Sequence, residues 1–235
     1  MGSITAKNGI RAEKQICMQS NVKLALEDHF NKPIKEFQCV SGKKYDIKIT
    51  FDDKSITTVQ NKDGNGGGRG WSIDRRNVSK YDDVELITLL KTVCLKTGKD
   101  KPSISKIFGI DAVKKGILGV PTSIIPVVDG GIKINEPEKF SIDDQPNYFT
   151  HTVSDKITKE IKSISICKTT ALVDFITDGL YVNAVPKRTC VHLSPNIYLQ
   201  RKGGGKKDSR PDDIQMKLKL TDELSQIFLT LSLKM

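Results

Sequence analysis

Residues Tyr45 to Lys62, YDIKITFDDKSITTVQNK, bring together the residue types needed to cleave a phosphodiester: an acid, an amide and an ammonium. Asp46 opens a run in which Ile47, Ile49 and Phe51 point one way and Asp46, Lys48 and Thr50 the other. Asp52-Asp53-Lys54 supplies a turn, and Ser55 to Lys62 returns with β-branched residues. Period-2 geometry puts Gln60 and Lys62 on one face, so the open end of the hairpin gathers Asp46, Gln60 and Lys62. Mg²⁺ takes oxygen ligands, keeps several waters and completes its shell with substrate phosphate. Asp46 offers a carboxylate, Gln60 an amide carbonyl and Asn61 a backbone carbonyl, while Lys62 stands ready beside an attacking water. The similar set Asp213, Gln215 and Lys217 leaves one residue between acid and amide, too few for a hairpin.

The elements that position this site are legible around it. Residues 9–30 form a helix with an imperfect apolar stripe, and Ser20-Asn21 interrupts it as a second N-cap. Glu13 lies on this helix, either as a solvated carboxylate or as a further acid over the hairpin mouth. Residues 82–97 read as an amphipathic helix stopped by Gly98. The proline-rich stretch 100–150 is irregular, with a short helix near Ser103–Leu118 and a strand near Ser123–Val128. Ser154 to Ile176 reads as helix in two pieces meeting near Lys168-Thr169 and ended by Gly179. Leu180–Val185, Cys190–Leu193, Ile197–Lys202 and Ile214–Leu220 read as strands. The expectation is a single nuclease domain over 1–235: a catalytic half at 1–100, an irregular middle at 101–150, and a helical segment with a C-terminal hairpin at 151–235.

Two glycine-rich excursions carry basic residues. Five glycines between Gly64 and Gly70 rule out a regular element there, and Arg69, Trp71, Arg75, Arg76 and Lys80 follow. This reads either as a loop gripping the nucleic-acid backbone or as a loop anchored to the core by its Trp. Near the C-terminus, Arg201 and Lys202 precede three glycines, then Lys206, Lys207, Asp212, Asp213, Gln215 and Lys217. Arg and Lys can read guanine, Asp can accept from cytosine, and Gln suits adenine.

Lys+Arg 38 against Asp+Glu 28 gives a net charge of +10 and a pI near 9.3, which suits a polyanionic partner. No apolar run is long enough to span a membrane, and the N-terminus lacks the apolar core of a signal peptide. Five scattered cysteines without a C-x-x-C point to reduced thiols in a cytoplasmic protein. His29, His151 and His192 lie far apart and make no zinc-ligand pattern, so they read as packing or surface residues. No G-x-x-x-x-G-K-[ST] is present to hold a nucleoside triphosphate.

Several segments together resemble one family. AKNGIRAEKQI looks like the opening helix, YDIKI…VQNK the metal-binding hairpin, GWSIDRRNVSKY an ID-basic-aromatic segment, and LSPNIYLQRKGGG…IQMKLK the C-terminal hairpin of the small type II restriction endonucleases of the HinP and Msp kind, within the PD-(D/E)XK superfamily. The resemblance implies an α/β fold with a central mixed β-sheet flanked by helices. It also implies Mg²⁺-dependent cleavage of double-stranded DNA at a short palindrome of four base pairs, by a monomer or homodimer. On that resemblance Asp46, Gln60 and Lys62 take the catalytic positions, and Arg201 and Lys202 through Gln215 and Lys217 the recognition hairpin. Gln60 in place of a second acid leaves one or two metal ions open, and Ser209 to Asp213 departs from the family's pattern, which leaves the target sequence open. The competing readings are a homing or repair endonuclease with the same hairpin, or a non-catalytic DNA-binding protein.

Overall fold

The structure, a computed structural model, describes residues 14–40, 45–64, 71–77, 146–155, 157–158, 160–179, 185–187, 190–201 and 213–234. For residues 72–77, 173, 177, 185–187, 191, 201 and 213–216 it describes the backbone alone. Glu13, Arg69, Lys80, Lys202, Lys206, Lys207 and Asp212 lie outside the described residues, as do the helices expected at 82–97 and Ser103–Leu118 and the strand expected at Ser123–Val128. The chain is mixed α/β and groups into two compact units interleaved in sequence, one holding 1–67, 142–172 and 225–235, the other 68–141 and 173–224.

The first unit is built on a six-stranded sheet in the order β1-β2-β3-β5-β6-β11. Its strands are β1 (Ile34–Cys39), β2 (Ile47–Phe51), β3 (Ile56–Asp63), β5 (Tyr148–Ser154), β6 (Ile161–Lys168) and β11 (Leu229–Leu231). All neighbours are antiparallel except β3 and β5, which run parallel, so the sheet is mixed. Ile47, Ile49 and Phe51 face the core with Val59, Ile164 and Ile166, and helix α1 (Ser20–Phe30) adds Val22, Ala25 and Leu26 to it. The expected interruption falls at Gln19, one residue early: residues 14–18 are helical, and Ser20 is already the first residue of α1. Asn31 ends α1 in the left-handed conformation, at φ 51. Among the described residues no helix is long and apolar enough to cross a membrane.

Three sequence expectations are corrected here. Ser154 to Lys168 is not helix but the turn and second strand of a hairpin. Its Lys and Glu residues suggest helix, yet Asp155 Oδ1 accepts from Ile157 N (2.7 Å) and Thr158 N (2.9 Å), closing a local turn. The β-branched Ile161, Ile164 and Ile166 then bury in the sheet, and helix begins only at α2 (Thr169–Asp178), with Gly179 just after it. Trp71 to Asn77 is strand β4 rather than loop, because it finds a sheet partner distant in sequence. Finally, Cys17 and Cys39 form a disulfide between the helical stretch 14–18 and the end of β1, with Cα atoms 6.1 Å apart. Cys167 and Cys190 are free thiols, so the reading of all cysteines as reduced fails for that pair.

The second unit carries a five-stranded antiparallel sheet in the order β4-β10-β9-β8-β7, from β4 (Trp71–Asn77), β7 (Val185–Lys187), β8 (Cys190–His192), β9 (Ile197–Arg201) and β10 (Asp213–Leu218). The last three match the expected strands to within about two residues at either end. Ser194-Pro195-Asn196 turns β8 into β9, with Ser194 Oγ accepting from Asn196 N (3.0 Å) and Ile197 N (2.9 Å). Buried Asn196 then ties this turn to the chain after β10 through Lys219 O (3.1 Å) and Thr221 Oγ1 (3.0 Å). Thr221 also accepts from Leu224 N (3.2 Å) at the start of the short helix α3 (Asp222–Ser225).

Candidate active site

The hairpin assembles its mouth as its residue pattern requires. β2 and β3 pair from Ile47↔Val59 to Thr50↔Ile56, and one further step of that register sets Asp46 opposite Gln60. The tip is closed by Lys54 N donating to Phe51 O (2.9 Å), with Lys54 at φ 67. Asp53 holds it from the side, accepting from Ser55 N (2.9 Å) and pairing with Lys32 at 2.6 Å. At the mouth the Asp46 backbone is fixed on both sides: its N–H donates to Val59 O (2.9 Å), and its carbonyl accepts from Val40 N (2.8 Å).

Asp46 Oδ2 accepts two hydrogen bonds, from Gln60 Nε2 and from Asn61 N at 2.8 Å. Among the described residues neither Asp46 Oδ1 nor Gln60 Oε1 accepts one. Burial pushes the Asp46 carboxyl above the ordinary carboxylate range, while the Lys62 charge, the Asn61 N–H and the Gln60 amide pull it back. The mouth is therefore a partly buried acid, hydrogen-bonded to the Gln60 amide and near an ammonium. A divalent cation fits that donor set, because hard oxygens without hydrogen-bond donors are what it binds. Among the described residues no three His, Cys, Asp or Glu side chains gather to hold a metal. A cation here would draw on Asp46, the Gln60 carbonyl and backbone, with water and substrate completing its shell.

Asn61 has a second task that its sequence position does not announce. It is buried, on the strand face opposite Gln60 and Lys62, and its Oδ1 accepts from Thr150 Oγ1 (2.9 Å) and Thr152 Oγ1 (3.3 Å) on β5. Asn147 clamps the same parallel seam two residues upstream of Gln60: its Oδ1 accepts from Thr58 N (2.9 Å) and Thr58 Oγ1 (3.0 Å). The seam places His151 directly across from Lys62, on the site's face of the sheet. Burial lowers the His151 pKa and the Asp63 charge raises it. A Cβ on Gly64 would fall 2.3 Å from His151 Nε2, so glycine is what lets the imidazole lie there. No local pattern marks His151, because its partner strand is remote in sequence.

Of the other expected site residues, Trp71, Arg75 and Arg76 lie on β4, Arg201 on β9, and Asp213, Gln215 and Lys217 on β10, all in the five-stranded sheet. The register sets Gln215 opposite Arg75, whereas Arg76 and Arg201 both pair with Ile214, on the alternate face. The expected divide between an N-terminal loop and a C-terminal hairpin is thus replaced by one sheet containing both.

No protein-family model and no curated protein matches this chain. Among solved structures it is similar to the restriction endonuclease MspI in complex with its cognate DNA. The TM-score is 0.43 with 15% sequence identity, over 78% of this chain and 66% of that one. The matched part thus falls just short of two thirds of that protein's length. At this score and identity, the reading of the site rests on its own geometry.

Proposed function

We propose that this protein is a divalent-metal-dependent endonuclease, of the type II restriction kind, that hydrolyses phosphodiester bonds of double-stranded DNA at a short palindromic site. The observation that carries the reading is the convergence of Asp46, Gln60 and Lys62 at the hairpin mouth, where Asp46 accepts from the Gln60 amide and the Asn61 N–H beside the Lys62 charge. Mg²⁺, when bound, supplies Lewis-acid polarisation of the phosphoryl oxygen and lowers the pKa of bound water. Asp46 and the Gln60 carbonyl would hold the cation, and Asn61 keeps the strand that carries Gln60 seated on β5. Lys62 favours the hydroxide form of the attacking water and offsets charge building on the phosphate. The net charge of +10 draws the polyanion in. Such an enzyme works inside the cell, where the Cys17–Cys39 bridge would meet a reducing milieu.

A DNA-binding protein without activity is disfavoured by the same observation. Partial burial raises the Asp46 pKa at a cost in stability, and a binder has no use for that cost or for converging metal ligands. A homing or repair endonuclease shares the chemistry but differs in substrate, so nicked or branched duplexes would be cut in preference to linear ones. The test is digestion of plasmid DNA with Mg²⁺ and with EDTA, followed by sequencing of the ends. Defined ends with Mg²⁺, none with EDTA and none with Asp46→Asn are expected. Wild-type cutting by the Asp46→Asn protein would refute the site.

A further inference from the structure

The five-stranded sheet has two faces that differ in burial along β9 and β10. Ile197, Leu199 and Leu218 are fully buried on one. On the other, described side chains are only partly covered: Lys217, Tyr198, His192 and Gln200 are all of intermediate exposure. Cross-strand register orders this open face into rows. Gln215 pairs with Arg75 on one side and Gln200 on the other, and Gln200 pairs in turn with Cys190. The adjacent row runs Lys217, Tyr198, His192, with the last two rings stacked 5.1 Å apart at 19°. These two rows carry cations, amides and aromatic rings, and the next row on the same face sets Asp213 opposite Asn77, so the face offers both donors and acceptors to base edges.

We infer that Arg75, Gln215 and Gln200 form a single base-reading row on this open face, with Lys217, Tyr198 and His192 gripping the backbone beside it. The inference rests on the duplex-DNA reading above and names where sequence is read. Three neighbouring strands span roughly 10 Å, inside the about 12 Å width of a major groove and close to three base-pair steps. The chemistry is divided along the row. By residue type, arginine at position 75 suits a guanine edge with its paired donors, and glutamine at position 215 suits adenine with an amide that donates and accepts. Gln200 Oε1 is engaged by Cys190 Sγ at 3.8 Å, which biases that amide towards donating from Nε2. Arg76 and Arg201 pair with Ile214 and share the alternate face, so they do not belong to the row.

The test is selection of bound duplexes by the full chain, in EDTA, from a pool with a randomised central block, followed by sequencing. The wild-type protein enriches a defined sequence. Arg75→Ala and Gln200→Ala each lower preference at particular base positions by about 5- to 150-fold, the ratio set by one lost base contact. Gln200→Glu, which keeps the size but replaces a donor by an acceptor, changes the favoured base at its position. Lys217→Ala, in the gripping row, weakens binding of all sequences alike and keeps the preference, and Arg76→Ala, on the alternate face, keeps it too. Melting curves confirm that each variant is folded. Unchanged base preference in both Arg75→Ala and Gln200→Ala, or its loss in Arg76→Ala, would overturn the row, as would a wild-type protein with no preference. A wild-type protein that enriches a sequence yet never cuts it with Mg²⁺ would instead overturn the endonuclease reading and leave the row standing.

Discussion

Asp46 is held in a state that the folded chain would be more stable without, and that tension yields a pH signature. Its carboxyl is pushed above its ordinary value of 3.8 by burial. In the window between the unfolded and folded pKa values the folded chain holds the extra proton. Stability therefore falls as pH rises through that window and stays lowered above it. In metal-free buffer, Asp46→Asn should melt higher than wild type at pH 7 and lose the advantage below pH 3.8, while cleaving no DNA. Parallel thermal melts across pH check this, and a lower melting point for Asp46→Asn at pH 7 would contradict it. Lys62 acts at the other end of the cycle. Its contribution grows with charge in the transition state, so Lys62→Ala should cut single-turnover cleavage by ~10²-fold or more with affinity for the same duplex little changed. Equal losses in rate and affinity would make it a phosphate contact only. These residues were readable from their types and spacing in Tyr45 to Lys62. His151 was not, since a histidine in a strand becomes a site neighbour only through parallel pairing with β3.

The elements show why some of the fold is written locally and some is not. The β2–β3 hairpin declares itself because strict alternation, a turn and a β-branched return all lie within one stretch, and its burial follows that alternation. Ser154 to Lys168 misleads because its helix-forming Lys and Glu residues are outweighed by the Asp155 turn and by long-range pairing with β5 and β11. The same holds for Cys17 and Cys39, whose spacing predicts nothing until helix and strand pack together. Two predictions belong at this scale. Lys54 pays for its left-handed conformation, so Lys54→Gly should stabilise the hairpin by about 1 kcal/mol or less, read as a shift in the urea midpoint without change in slope. The Cys17–Cys39 bridge closes a loop over a sequence separation of 22, worth roughly 3 kcal/mol by constraint of the unfolded chain. Reduction, or Cys17→Ser, should lower unfolding free energy by that order, and equal stability in oxidising and reducing buffer would rule it out.

For the whole molecule, the decisive quantity is the charge of +10, which no single element carries. If duplex DNA is the partner, Lys and Arg side chains displace condensed counterions. The logarithm of the binding constant then falls linearly with the logarithm of salt, by about 0.9 per phosphate neutralised. Base-edge contacts release no phosphate counterion, so they change affinity without changing that slope. The two classes of residue on the five-stranded sheet therefore separate in one titration. Lys217→Ala should flatten the slope by about one unit and weaken cognate and unrelated duplexes equally. Gln200→Ala and Gln215→Ala should keep the slope and weaken the cognate duplex selectively, because an amide neutralises no phosphate. Affinities measured over a range of salt, on one enriched and one unrelated duplex, supply the numbers. A salt-independent affinity would mean that the basic excess serves some partner other than a polyanion.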